Sequence, residues 1–302
     1  MKRYYRQVIP TGLLILLALS VTAQAYQLSS HKDRLFKYPQ ILDSKLNGDF
    51  LHVDYNKQRD LRDRDKVDER EVFGEYVSHY PRRSQKDLAF EQDGRAFRYI
   101  RAGKVNRNVR AIVIFIHGRN GNRHLGANDV SFGGNFNRIK NLMARNKGLY
   151  ISTDISDFKE QGKNDVKALI AAYRQEMPKA SIFVACGSMG GAICWRLARD
   201  PQVSGLLGGL IFLGSPTDAG FLNSPVVKNK SRHIPVYFGY GSLDRVYDWK
   251  KQFLFFDRIR KKAPGYPAKF VLFETGTHGT PIRMTDWRET INWMLTHKAG
   301  LN

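Results

Sequence analysis

The chain has 302 residues, 42% apolar and 25% charged, globular values that argue against a mostly disordered protein. Its two cysteines cannot build a disulfide-stapled scaffold or a four-cysteine metal site. The net charge of +21 is the unusual figure, and no internal repeat points to a solenoid or propeller.

Residues 1–25 begin with Lys2, Arg3 and Arg6, continue through an apolar run from Gly12 to Val21, and end in Ala23-Gln24-Ala25. That is the pattern of a signal peptide with a small-residue cleavage site, and the run is short for a bilayer span. The body of the protein is therefore expected outside the cytoplasm, periplasmic or secreted. Residues 26–86 form a polar leader whose densest part, Lys57 to Glu71, mixes both charge signs. A run of this kind usually makes a solvated helix face or a linker, so no chemistry is expected there. Scattered aromatics such as Phe36, Tyr38, Phe50, Tyr55 and Tyr76 predict that parts of it pack onto, or link to, the core.

From Asp87 the pattern changes. Leu88 to Gly103 alternates apolar and polar residues around Asp93-Gly94, a hairpin signal. Apolar, β-branched runs follow at 111–116, 149–153, 181–185, 209–213, 235–239 and 269–274. Amphipathic stretches of helix length alternate with them at 136–147, 165–177, 191–199, 249–262 and 285–296. This alternation predicts an α/β domain over residues 87–302, with a mostly parallel central sheet and helices on both faces. Reactive groups should then gather at the carboxyl ends of the strands. The domain also holds most of the charge: 33 Lys/Arg against 17 Asp/Glu leave residues 87–302 at +16. Such a domain is drawn to anionic surfaces, whether membrane, cell-wall polymer or nucleic acid.

The decisive stretch is 181–198, where an apolar strand runs into Cys186-Gly187-Ser188-Met189-Gly190 and then directly into an amphipathic helix. A serine on such a turn needs small neighbours, stands clear of the sheet, and lies at a helix amino terminus that favours developing negative charge. Cysteine occupies the place where the usual G-x-S-x-G pattern begins with glycine. A second strand, 111–116, ends in His117-Gly118-Arg119-Asn120-Gly121. The backbone N–H groups of Arg119 and Met189 are the candidate donors to an oxyanion, and His117 is read as bracing the loop rather than as a base. Two further strand ends supply Asp244 and His278, with Asp248 as the reserve acid. His124, His233 and His297 lack a strand-end setting and are expected at the surface.

With these four motifs in this order, residues 88–297 resemble an α/β-hydrolase fold serine hydrolase. The resemblance implies a Ser188–His278–Asp244 triad, a two-donor oxyanion hole, an acyl-enzyme intermediate and neither metal nor cofactor. The stretch between 213 and 235 is too short for a large cap domain, so an accessible site is expected. Phe221, Leu222, Val226 and Val227 within it either line the rim or pack inside. Charge and compartment together point to lipid acyl esters, with phospholipase A-type or carboxylesterase activity and contact with an anionic membrane. Alternatives are a cell-wall, polysaccharide or polyester ester hydrolase, a peptidase, or an exported binding protein on an inactive scaffold. No recognised motif supports specific nucleic-acid binding. Cys186 and Cys194 are expected to be two small packing residues, since a strand-end side chain and one two helical turns on should lie too far apart to pair.

Overall fold

The computed structural model of the chain describes Met1 and residues 26–92 and 94–297. The expected export segment therefore lies outside the described residues apart from Met1, as does Asp93 of the expected hairpin turn. No helix among the described residues is long and apolar enough to cross a membrane.

Among the described residues, ten strands form one sheet. They are β1 (Ile41–Lys45), β2 (Phe50–Val53), β5 (Lys86–Gln92), β6 (Arg95–Ala102), β7 (Ala111–Ile116), β8 (Gly148–Thr153), β9 (Ser181–Gly187), β10 (Leu207–Leu213), β11 (Val236–Gly241) and β12 (Ala268–Phe273). The short strands β3 (Asp65–Val67) and β4 (Glu71–Val72) pair separately. The large sheet runs β1-β2-β12-β11-β10-β9-β7-β8-β6-β5, with every pairing from β2 to β8 parallel and the outer ones antiparallel. Chain order reverses beside β7, since the next strand, β8, lies on one side of it and β9 on the other. A crevice outside the carboxyl ends of adjacent strands is expected at such a reversal.

Strand β7 shows why these runs become central strands. All six of its residues are buried, because both faces of a parallel strand are covered. Ile112, Ile114 and Ile116 face one cluster, with Val166, Leu169 and Trp195 from helices α2 (Glu160–Glu176) and α3 (Gly191–Arg199). Ala111, Val113 and Phe115 face the other, with Phe136, Ile139 and Leu142 of α1 (Asn135–Arg145) and Trp287 and Ile291 of α6 (Trp287–His297). Helix α4 (Trp249–Lys262) joins the first layer and the short α5 (Thr280–Met284) the second. Each fully buried side chain of this size contributes about 1.5–3 kcal/mol over exposure.

The leader packs onto the core, and its charged run at 57–71 departs from the solvated face or linker that its charge pattern predicts. Strand β2 lies parallel to β12, with Phe50 opposite Phe270 and Val53 opposite Phe273, so the leader extends the central sheet. Within the charged run, Asp60, Leu61, Arg64 and Asp65 are buried. Their charges find partners: Arg283 of α5 donates to both carboxylate oxygens of Asp65 at 2.9 and 2.5 Å and to the Asp60 carbonyl at 3.2 Å. Arg64 donates to the Gly133 carbonyl at 2.8 Å and lies over the rings of Tyr76 and Phe36. Burial, and then the nearby Arg283, lower its guanidinium to about 10. Arg138, wholly buried on α1, bridges leader and core through Asp33 at 3.0 Å and Asp286 at 3.1 Å.

Two further expectations are corrected. Cys186 and Cys194 form a disulfide with their Cα atoms 6.4 Å apart. The tight turn brings the start of α3 back under the end of β9, so the two helical turns carry Cys194 alongside the strand rather than away from it. His233 is buried rather than at the surface, packed against the Tyr266 ring at 4.4 Å with Nε2 at 3.3 Å from the Val227 carbonyl oxygen. His124 and His297 are exposed. Phe221, Leu222, Val226 and Val227 are all buried, with Phe221 4.8 Å from Trp195, so they pack inside rather than line a rim.

Candidate active site

Ser188 follows β9 directly and holds φ at 50°, a left-handed conformation that costs a non-glycine residue free energy and is typical of functional sites. The turn is possible only because two neighbours lack side chains. A Cβ on Gly190 would lie 2.7 Å from the carbonyl oxygens of both Ile116 and His117. A Cβ on Gly118 would lie 2.7 Å from Ser188 Cβ. The loop after β7 therefore passes against the serine itself, and the peptide between Gly118 and Arg119 sits beside its side chain. Met189 is the second residue of the helical turn Ser188–Gly190 that leads into α3, where the first amides have no intrahelical acceptor. Gly118, the residue before Arg119, is thus brought against the serine, while the Arg119 side chain is exposed.

The Cys186–Cys194 disulfide closes the segment that contains Ser188, tying the end of β9 to α3. Ser215, after β10, donates its hydroxyl to the Cys186 carbonyl at 2.9 Å, and Tyr240 on β11 donates to the Ser215 carbonyl at 2.6 Å. These bonds fix three adjacent strand ends relative to one another.

Asp244 lies just past β11 and its side chain is fully buried. One carboxylate oxygen accepts the backbone N–H groups of Val246 at 2.7 Å and Tyr247 at 3.1 Å. The other lies 2.9 Å from His278 Nδ1. With the carboxylate ionised, this bond places the ring proton on Nδ1 and leaves Nε2 free to accept one. The imidazole is about one-third exposed, so the carboxylate is shielded while the ring is reachable. Thr280 accepts the Thr277 N–H at 2.9 Å and holds the loop around His278.

Tyr247 was not singled out from sequence. Its ring lies 5.8 Å from the imidazole of His278, and its phenol lies near Ser188. Burial pushes that phenol up, Asp244 adds to the rise, and Ser188 and Arg119 oppose it. Ser188 and His278 thus lie against the same tyrosine but are not hydrogen-bonded to each other; bonds of this kind commonly tighten only around a substrate. Asp248 is exposed and caps α4 by accepting the Lys250 N–H at 2.9 Å. His117 is buried, with Nδ1 2.8 Å from the Gly118 carbonyl oxygen and its ring edge-on to Phe158.

A cavity of about 150 Å³ lies against the loop that carries His278, lined by Thr277, Gly279, Thr280, Arg283 and Phe132 and by Tyr55, Leu61 and Glu69 of the leader, though not by His278 itself. No sequence signal marks the leader residues, because only the long-range pairing of β2 with β12 and of Asp65 with Arg283 brings them there.

No known protein-family profile matches the chain, and no curated protein matches it in sequence. Solved structures do match in shape. A thermostable esterase aligns at TM-score 0.55 and 17% identity, over 71% of this chain and 63% of that one, so the matched part spans less than two thirds of that protein. A Pyrococcus furiosus esterase aligns at 0.52 and 15%, over 74% and 98% of the two chains. An alpha-beta serine hydrolase homologue from Coxiella burnetii aligns at 0.50 and 15%, over 69% and 96%. The chain has the α/β-hydrolase fold.

Proposed function

We propose that the protein is an exported serine hydrolase that cleaves carboxylic esters through an acyl-enzyme, with Ser188 as nucleophile, His278 as base and then acid, and Asp244 orienting His278. The observation that carries this reading is the Asp244–His278 pair at 2.9 Å, set at the same sheet edge as a serine held at φ 50° on a strand–helix turn. The esterases among the structural neighbours support it through the shared fold. His278 Nε2 takes the Ser188 proton as the hydroxyl adds to the ester carbonyl. The oxyanion then meets the N–H groups of Arg119 and Met189, a kind of donor whose removal costs about 2.7–4 kcal/mol in comparable sites. His278 returns the proton to the leaving alcohol, and a water activated by the same nitrogen releases the acid.

The proposed substrate class is the acyl esters of lipids, in phospholipase A-type or carboxylesterase activity. Export and the positive charge of residues 87–302 support it. Fluorophosphonate labelling, together with fatty-acid release from phospholipid vesicles and hydrolysis of a soluble ester series from acetyl to palmitoyl, tests both parts. Labelling and turnover lost in Ser188→Ala support the hydrolase. Turnover of the short soluble esters alone removes the lipid reading, and failure of the folded chain to label at Ser188 removes the enzyme in favour of a binding protein.

A further inference from the structure

Among the described residues from Tyr26 onward, three large apolar side chains are far more exposed than the rest: Leu243 and Val246 at 59% and Leu254 at 60%, against 46% or less for the others. All three lie in one short stretch, the loop that carries Asp244 and the first turns of α4. Leu243 and Val246 bracket the acid of the active site. Leu254 lies five residues into α4, about 7.5 Å along its axis.

The same stretch is strongly basic. Residues 245–262 hold seven Lys/Arg against two Asp/Glu. On α4 the helical period places Lys250, Lys251, Arg258 and Lys261 around Leu254 on the exposed side, while Phe255, Phe256 and Ile259 are buried. Arg245, Lys250, Lys251 and Arg258 form no ion pair among the described residues. Between α4 and the 219–223 segment, Arg258, Lys261 and Lys262 line an open depression with Leu222 and Asn223. A nucleic acid would use these cations but would leave three aliphatic side chains in water. An anionic bilayer accommodates both, with headgroups for the cations and the acyl boundary for the apolar tips.

We propose that the 243–262 loop and helix form a docking face for an anionic lipid bilayer, setting the mouth of the Ser188–His278 site against the membrane surface. The use of this face rests on the ester-hydrolase reading, but docking itself needs no turnover. It is therefore tested with the full chain carrying Ser188→Ala, sedimented with phosphatidylcholine vesicles with and without phosphatidylglycerol at low salt. Affinity should be about tenfold higher or more for the anionic vesicles, and should fall by about that factor in Lys250→Glu/Lys251→Glu. It should fall several-fold in Leu254→Ser. The same substitutions in the chain with Ser188 intact should leave hydrolysis of a short soluble ester unchanged, which also shows that they fold.

Equal affinity for neutral vesicles overturns the proposal. So does unchanged binding in the helix variants, which would assign attachment to the apolar run at 12–21. Binding that responds to charge but not to Leu254→Ser overturns it as well, since adsorption to any polyanion behaves that way. Docking that persists while the parent chain hydrolyses no ester would remove the catalytic reading and leave the docking face standing.

Discussion

Arg283 and Asp65 form a two-bond ion pair in which both side chains are almost fully buried, although one belongs to the leader and the other to the helix after His278. Removing one partner of a buried pair leaves an uncompensated charge, at a cost of about 3–5 kcal/mol. Asp65→Ala should therefore lower stability by that amount, a large share of the usual margin for a folded domain. It should also reduce ester turnover by loosening the cavity beside His278. Urea denaturation followed by activity at a temperature where the variant stays folded measures both.

Asp244 and Asp248 separate cleanly by role. Asp244→Asn keeps the shape but loses the charge that fixes the Nδ1 proton and stabilises the imidazolium, and kcat should drop by about 10⁴-fold with little change in folding. Asp248→Ala removes only a helix cap, costing about 1 kcal/mol of stability with activity retained. Steady-state kinetics on one soluble ester, with melting curves for both variants, decide the assignment.

The disulfide spans a loop of only eight positions, so its effect on the unfolded chain is modest. Cys186→Ser/Cys194→Ser should cost about 2–3 kcal/mol by the loop-entropy relation. Because it closes around Ser188, the variant should also lose activity at temperatures below its unfolding transition. Parallel measurement of melting and ester hydrolysis against temperature would show the two curves separating; coincident curves would mean that the bond acts only on global stability.

His31 gives the fold an acid weakness. Burial, with Arg145, Lys32 and Arg138 nearby, lowers its imidazole to about 4, against an ordinary value near 6.5. Between these values the unfolded chain binds a proton that the folded chain does not, so stability falls as pH drops from about 6.5 towards 4. His31→Gln should flatten that part of the profile. Urea midpoints at pH 7 and pH 5, compared between the two proteins, test it.

The parts of the fold legible in the sequence are those set by local pattern. Apolar runs of strand length alternating with amphipathic helices gave the central strands within a residue or two. The serine turn and the strand-end positions of Asp244 and His278 could be read for the same reason. What could not be read depends on pairing across the whole chain. The charge-rich run at 57–71 looks solvated residue by residue, yet Asp60, Arg64 and Asp65 become interior once Arg283 and two aromatic rings meet them. The disulfide was missed because the tightness of the turn, rather than the number of residues between the cysteines, sets their separation.

Strand β2 has its parallel neighbour in β12, the last strand of the sheet. On a chain made from its amino end, residues 50–53 can pair early with β1 but gain their parallel partner only when residues 268–273 arrive. Phe50 and Val53 must wait through nearly the whole of synthesis for Phe270 and Phe273. A chain that stops short of residue 268 would lack β12, and with it both the inner neighbour of β2 and His278.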